Sequence, residues 1–249
     1  MPPPKLPFTH FLCLPLVTET SRPQLQASLQ SFSDDVVVSS LLDGVDNVDR
    51  VVRPPGTIHL TLGMMSLMSH EKLAGAVQLL QDLDLRECLR ESAATSAEAS
   101  VSATASESST QYLPLQVSLT SVTSMHDPAK TSILYSEPVD LTGRLIPFCT
   151  RLRAAFEDAE FVVSESRPLR LHATILNTVY AKTKNHYRRR PKRITIDAIN
   201  IVENYRDFEF ATDIQLDKVR ICKMGAQKVF DEDAGVFGEE YEVVGEKSI

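Results

Sequence analysis

Cysteine is scarce in this sequence, and no two cysteines lie close together. The chain of 249 residues contains four, Cys13, Cys88, Cys149 and Cys222, without a Cys-x-x-Cys motif. Cysteine zinc sites and disulfide frameworks both need cysteines that recur at short or regular spacing. The spacing therefore argues against either kind of site and predicts reduced, structural cysteines, as in the cytosol or nucleus.

Long hydrophobic runs are also missing. No stretch approaches the roughly 18 apolar residues that span a bilayer. The apolar run at residues 11–17 is short, contains Pro15 and lacks a charged lead-in and a cleavage site, so it predicts a strand and not a signal peptide. We therefore expect no membrane association and no secretion, and a location in the nucleus, the cytoplasm or both.

Positive charge is in deficit, with one local exception. The net charge is −7, which argues against non-specific coating of nucleic acid. Residues 182–193 nevertheless carry seven Lys or Arg and no acid. Three interpretations of this basic loop stay open. It contacts a polynucleotide, with Arg188 and Arg189 on phosphates and Tyr187 stacked on a base, or it is a nuclear localisation signal, or it is a solvated surface loop.

The order of predicted elements favours an α+β fold. A hydrophobic fraction of 43% is enough for one domain over residues 1–249. Alternating and helical apolar patterns predict strands at 9–17, 57–65, 112–122, 131–136 and 168–179, and helices at 23–42, after Ser69 and at 141–159. We expect two pseudo-symmetric lobes, each an antiparallel sheet with flanking helices, and a cleft between them.

Residues 91–110 differ in composition from the rest of the chain. They are almost entirely Ser, Ala, Thr and Glu. Such a segment buries too little apolar surface to offset its ordering entropy, which predicts a disordered insertion. The alternative is that this Ala- and Glu-rich stretch prolongs the second helix.

One short phrase occurs twice in the sequence. Residues 58–62 read Ile-His-Leu-Thr-Leu, and residues 171–175 read Leu-His-Ala-Thr-Ile. The alternation predicts a strand with an apolar face and a face that carries His and Thr together. A single His-x-Thr is weak evidence, because a histidine on a strand surface is common. The pair is more specific, and it predicts that two imidazoles and two hydroxyls share one cleft.

These residue types suit phosphodiester chemistry. With an ordinary pKa of about 6.5, one histidine can accept a proton from the attacking oxygen while the other donates a proton to the leaving oxygen. Because residues i and i+2 share a strand face, Thr61 lies beside His59 and Thr174 beside His172. Each hydroxyl can donate to a non-bridging phosphate oxygen. This chemistry needs no metal and no cofactor.

The pair resembles the signature of the 2H phosphoesterase superfamily, with its LigT-like or 2′,5′-RNA-ligase-like fold. Residues 7–12, 53–64, 171–178 and 203–205 and Phe208 are also similar to activating signal cointegrator subunits and to the central domain of nuclear-signal A-kinase anchoring proteins. The resemblance covers nearly the whole chain except residues 91–110 and the tail.

The resemblance implies the roles of the paired residues. His59 and His172 would be the catalytic histidines, and Thr61 and Thr174 the phosphate-binding hydroxyls. It implies a phosphodiesterase for RNA ends or cyclic or 2′,5′-linked nucleotides, acting as a monomer or as a subunit of a coactivator or alkylation-repair complex with a helicase. The alternatives are a non-catalytic nucleotide- or RNA-binding module and a scaffold subunit.

Overall fold

The computed structural model describes residues 7–38, 45–46, 51–98, 114–164, 167–183, 194–231 and 236–249. The helices are α1 (Ser21–Val38), α2 (His70–Asp82), α3 (Leu85–Glu98), α4 (Leu145–Asp158) and α5 (Ile199–Asn204). The strands are β1 (His10–Pro15), β2 (Val45–Asp46), β3 (His59–Met65), β4 (Leu115–Ser124), β5 (Ile133–Val139), β6 (Ala173–Asn177), β7 (Lys182–Thr183), β8 (Glu209–Leu216), β9 (Lys218–Lys223), β10 (Gln227–Asp231), β11 (Val236–Glu240) and β12 (Val243–Ser248).

Two antiparallel four-stranded sheets form the body of the protein. The first sheet has the order β12-β9-β1-β3, and the second has the order β6-β5-β4-β8. β3 and β6 are therefore edge strands. In the first sheet, alternate residues such as Leu12, Leu14, Leu60 and Leu62 turn to the core and are almost completely buried. The opposite face of the same strands carries the polar residues of the predicted site.

Helices cover the core faces of both sheets. α1 packs against β8, α2 against β12, and α4 against both β3 and α3. The hydroxyl of Ser69 caps α2 by accepting a hydrogen bond from the backbone N–H of Lys72 at 3.1 Å, as its sequence position predicts. Within the described residues, no helix combines the length and the apolar character that crossing a membrane requires.

The edges of the two sheets meet through short backbone contacts. Val52, which precedes β3 in the chain, forms a bridge with Leu176 of β6. The neighbouring N–H of Arg53 donates to the carbonyl of Ile175 at 2.7 Å. At the other end of β3, Met65 forms a bridge with Val162, which follows α4. These contacts bring β3 and β6 together.

The predicted fold class is confirmed: the protein has antiparallel sheets, flanking helices and mixed α and β structure. The sheets do not follow the halves of the chain, since β9 and β12 join the first sheet and β8 joins the second. α4 begins at Leu145, later than predicted, and Pro147 lies in its first turn, where no backbone N–H is needed. β6 is shorter than the predicted strand.

The segment expected to be a disordered insertion begins in a helix. α3 continues to Glu98, so residues 91–98 are helical, but they belong to a third helix and do not prolong α2, which ends at Asp82. Leu85 and Leu89 of α3 are buried, and the side chain of Ser92 donates to the carbonyl of Cys88 at 2.7 Å. This packing supports the helix despite its polar composition. Residues 99–113 lie outside the described residues.

Candidate functional site

His59 begins β3 at the edge of the first sheet, and its ring is held at both nitrogens. Nδ1 lies 2.7 Å from the carbonyl oxygen of Thr57, and Nε2 lies 3.1 Å from the hydroxyl of Thr61. Because a carbonyl only accepts, Nδ1 carries the proton and donates it to Thr57. Nε2 is then the unprotonated nitrogen, and it accepts from the Thr61 hydroxyl. The predicted pairing of His59 with Thr61 along one strand face is therefore present.

Aromatic rings enclose His59. Phe11 stacks on it with ring centroids 4.8 Å apart, and Tyr241 meets it edge-on at 5.3 Å. Burial lowers the pKa of His59 to about 4, against the opposing effect of the hydrogen bond to Thr57. The positive charges of Arg53 and His172 lower that pKa further. His59 is consequently neutral at pH 7.

His172 stands directly before β6 at the edge of the second sheet. Its Nδ1 donates to the carbonyl of Arg170 at 3.0 Å, which repeats the contact between His59 and Thr57 two residues back along the chain. The ring of Tyr135 meets the His172 ring edge-on at 5.5 Å. Thr174 is half-buried and pairs with Tyr135 in the sheet register. Both copies of the phrase therefore orient histidine through the carbonyl of residue i−2.

The second sheet adds a polar group behind His172. The Arg170 guanidinium bonds to the Tyr135 hydroxyl and, at 2.9 Å, to Glu137. Tyr135 itself is fully buried. Burial raises the pKa of its phenol, so Tyr135 is a neutral support for His172.

Three residues beside His59 were not predicted as functional. Arg53 is 4% exposed, and its Cζ lies 3.8 Å from the centroid of the Tyr180 ring. Tyr241 is in polar contact with both Arg53 and Tyr180, and burial raises its pKa to about 12. Arg53 is close to His59 in the sequence. The one indication of its role in the sequence is that an arginine directly follows the apolar pair Val51–Val52.

His59 also lines a cavity of about 220 Å³. Arg22 and Glu240 close one part of its wall by a bond of 2.9 Å. In another part, the sulfur atoms of Cys13 and Cys222 lie 3.9 Å apart as free thiols. No cluster of three or more His, Cys, Asp or Glu that could hold a metal ion occurs in the part of the chain that the structure describes.

Residues 184–193 of the basic loop proposed as a nucleic-acid contact, including Tyr187, Arg188 and Arg189, lie outside the described residues. Aromatic residues in the described part of the chain fall into different surroundings. Tyr205 and Phe208 belong to a packed cluster with Phe32 and Phe210, which is a structural role. Phe11 lies in the site against His59.

Comparison with known families identifies the family of this chain. Residues 8–232 match the model of the AKAP7 2′5′ RNA ligase-like domain. The chain belongs to this family. The predicted resemblance to the 2H phosphoesterase superfamily is confirmed at this level, and the matched range contains both His-x-Thr phrases.

Two curated relatives of this AKAP7 2′5′ RNA ligase-like domain align with parts of it. Activating signal cointegrator 1 complex subunit 1 of Mus musculus is 26% identical over 232 residues, which are 87% of this chain and 58% of the relative. The uncharacterized protein C15D4.13c of Schizosaccharomyces pombe is 33% identical over 99 residues, 40% of this chain and 43% of its own. The chain thus spans about half the length of these relatives.

Solved structures also resemble this chain. TT0787 of Thermus thermophilus is 14% identical, with a TM-score of 0.48, over 96% of this chain and 97% of its own. LigT of E. coli, crystallised with NADP+, is 12% identical, with a TM-score of 0.45, over 98% of this chain and 99% of its own.

Proposed function

We propose that the protein is a metal-independent phosphodiesterase of the 2H type, which acts on RNA ends or on cyclic or 2′,5′-linked nucleotides. The observation that supports this most is the pairing of the two His-x-Thr phrases. They stand at sheet edges joined by the bridge between Val52 and Leu176, and each orients its histidine through the carbonyl two residues back. One phosphate between them would meet both imidazoles and both hydroxyls.

The protonation of His59 suggests which histidine is the base. Its Nδ1 donates to Thr57, and its unprotonated Nε2, which accepts from Thr61, carries the electron pair that would take the proton from the attacking oxygen. The leaving oxygen then needs a proton from the other side of the phosphate. In our proposal His172 is this acid. After the step, His59 releases its proton to the solvent and His172 takes one up, which restores both histidines.

The threonine hydroxyls would stabilise the charge that develops on phosphorus. With substrate bound, the Thr61 hydroxyl would turn from His59 Nε2 to a non-bridging oxygen and Thr174 would donate to another, where negative charge increases in the transition state. With RNA, the 2′-hydroxyl next to the scissile phosphate is an internal nucleophile, and the first product is a cyclic phosphate. The name of the family, a 2′5′ RNA ligase-like domain, supports this substrate class.

The test is incubation of short oligoribonucleotides, 2′,5′-linked dinucleotides and cyclic nucleotides with the protein in EDTA. We expect product from the wild type and a loss of at least about 100-fold in His59→Ala and in His172→Ala. His126→Ala is the matched control, because His126 is exposed and lies in the connection between β4 and β5, outside both phrases. Full activity in both site variants would sink the mechanism. Binding without any product would favour the non-catalytic alternative.

We also propose that the protein works within an assembly. The mouse relative is named as a subunit of a complex and aligns with 87% of this chain. A coactivator or repair complex with a helicase subunit, in the nucleus, is the corresponding hypothesis. Sedimentation of the tagged protein from cell lysate tests it. A peak at the mass of the monomer, 27.7 kDa, would count against the assembly.

A further inference from the structure

Arg53 is a buried cation with an unused hydrogen-bond donor. It is 4% exposed, and its Nη2 has no hydrogen-bond partner. Among the residues that the structure describes, no carboxylate forms an ion pair with it. The acids on either side of Tyr241 are engaged elsewhere, since Glu240 binds Arg22 at 2.9 Å and Glu242 binds Lys223 at 3.3 Å. Burying a charged group without a counter-charge is costly, so this position is suited to an anion from outside the chain.

The guanidinium is held in a fixed orientation. Its Cζ lies 3.8 Å from the centroid of the Tyr180 ring, which is the geometry of a stacked cation–π pair. Tyr180 ends a tight helical turn, Thr178–Tyr180, directly after β6. On another side the Tyr241 hydroxyl makes a polar contact with Arg53. The backbone N–H of Arg53 is bonded to Ile175 of β6. Both the side chain and the backbone are thus fixed where the two sheets meet.

Arg53 also lies beside the proposed phosphate position. Tyr241, which Arg53 contacts, meets the His59 ring at 5.3 Å. Arginine presents its N–H groups as a planar fork that matches two oxygens of a phosphate. A fork fixed by Tyr180, with Nη2 without a partner, therefore suits an oxyanion, and the proposed function places a phosphoryl group in this cleft.

We propose that Arg53 is a phosphate-binding residue of this cleft, held by Tyr180 and Tyr241, and that it makes the site selective for phosphorylated nucleotides over nucleosides. Its Nη2–H donates to a non-bridging oxygen of the phosphoryl group that lies between the two histidines. The inference rests on the proposed function, because that function places a phosphate there. Among the described residues, it adds a guanidinium to the imidazoles and hydroxyls of the two phrases.

The experiment compares two probes that differ only in the phosphate. Calorimetric titrations with adenosine 3′-monophosphate and with adenosine are run on the wild type, Arg53→Gln, Arg53→Lys and Arg153→Gln. Arg153 is a matched control, since it is a partly buried arginine of α4 that is bound to Glu157 at 2.7 Å. We expect Arg53→Gln to weaken nucleotide binding by about 10- to 100-fold while adenosine binding is unchanged. Arg53→Lys should recover part of the loss, and Arg153→Gln should match the wild type.

Three results would overturn the proposal: wild-type nucleotide affinity in Arg53→Gln, an equal loss for nucleotide and nucleoside, or no preference for the nucleotide in the wild type. If Arg53→Gln fails to fold, Tyr180→Leu removes the stack from a partly exposed position. Nucleotide affinity should then fall by about 3- to 10-fold, and an unchanged affinity would overturn the proposal. Binding needs no turnover, so the result is independent of the assay on His59→Ala and His172→Ala. A chain that binds through Arg53 but forms no product would refute only the proposed catalysis.

Discussion

The ring of Phe11 stacks on the ring of His59, with centroids 4.8 Å apart and planes 29° from parallel. This contact joins the central strand β1 to the edge strand β3 on the face opposite the core. It removes water from the imidazole, and burial is the largest cause of the lowered pKa of His59. Phe11 on β1 therefore influences the pKa of His59, the proposed base.

Phe11→Ala should raise the pKa of His59 from about 4 toward its ordinary value of about 6.5, because water then solvates the imidazolium. We expect a rise of at least about one unit. The measurement is the titration of the His59 Cε1–H signal by NMR, assigned with His59→Gln. Phe208→Ala is the control, since it removes an aromatic ring from a different cluster. An unchanged His59 titration would show that Phe11 does not control this pKa.

The lowered pKa of His59 also predicts a pH-dependent loss of stability. Between pH 6.5 and pH 4 the unfolded chain binds a proton at this histidine and the folded chain does not, so acid favours unfolding. The stability that neutral His59 contributes is fully present above the pKa of this histidine in the unfolded chain, and it is lost as the pH falls toward the folded pKa of about 4. Allowing for the partial exposure of His59, we expect the wild type to lose about 1–2 kcal/mol more than His59→Gln between pH 7 and pH 5.

Urea unfolding of the wild type and of His59→Gln at pH 7 and at pH 5 measures how much more stability the wild type loses. His10 has a lowered pKa from burial as well and contributes to both proteins, so the comparison isolates His59. His126→Gln should follow the wild type. If His59→Gln and the wild type lose the same stability from pH 7 to pH 5, His59 is not held neutral by the fold.

The sequence predicted the parts of this site that depend on local geometry. A period of two along a strand places Thr61 beside His59, and the same holds for Thr174 and His172. The carbonyl two residues before each histidine is equally local, and it positions Nδ1 in both copies. The repeated phrase and the order of elements also predicted that the two strands face one cleft. Those predictions needed no knowledge of the sheet order.

The parts that were missed depend on long-range pairing. Tyr241 reaches His59 only because the last strands of the chain return to the first sheet, in the order β12-β9-β1-β3. No pattern around residue 241 specifies that return. The roles of Tyr180 and Arg53 likewise depend on the bridge between Val52 and Leu176. The helix at residues 91–98 was missed as the main prediction because its support comes from packing and not from composition.

Thr61→Val should lower the turnover rate of the proposed reaction by about 100-fold with little change in KM, because the hydroxyl donates mainly in the transition state. Valine has nearly the same shape, so the half-buried site should tolerate it. Thr61→Ser keeps the hydroxyl that lies 3.1 Å from His59 Nε2 and is the matched control. Steady-state kinetics on a cyclic nucleotide provide the comparison. Equal rates in Thr61→Val and the wild type would remove Thr61 from the mechanism.

Gly63 allows the segment after α4 to lie against β3. A Cβ at Gly63 would stand 2.4 Å from Cγ1 and 2.8 Å from Cγ2 of Val162, which is a buried residue. The backbone is fixed nearby, because Met65 forms a bridge with Val162 and the N–H of Val163 donates to Met64 at 3.1 Å. Any added side chain must therefore displace the valine or separate the two segments.

Gly63→Ala should destabilise the fold by about 1–3 kcal/mol, the usual cost of forcing an extra carbon into a packed core. Val162→Ala alone should also destabilise it, because it leaves a small cavity. The double variant should be more stable than the sum of the two single effects predicts, since the smaller residue 162 makes room for the new methyl group. Chemical unfolding of the four proteins measures this coupling. Additive effects would mean that the clash with Val162 is not the reason for glycine at this position.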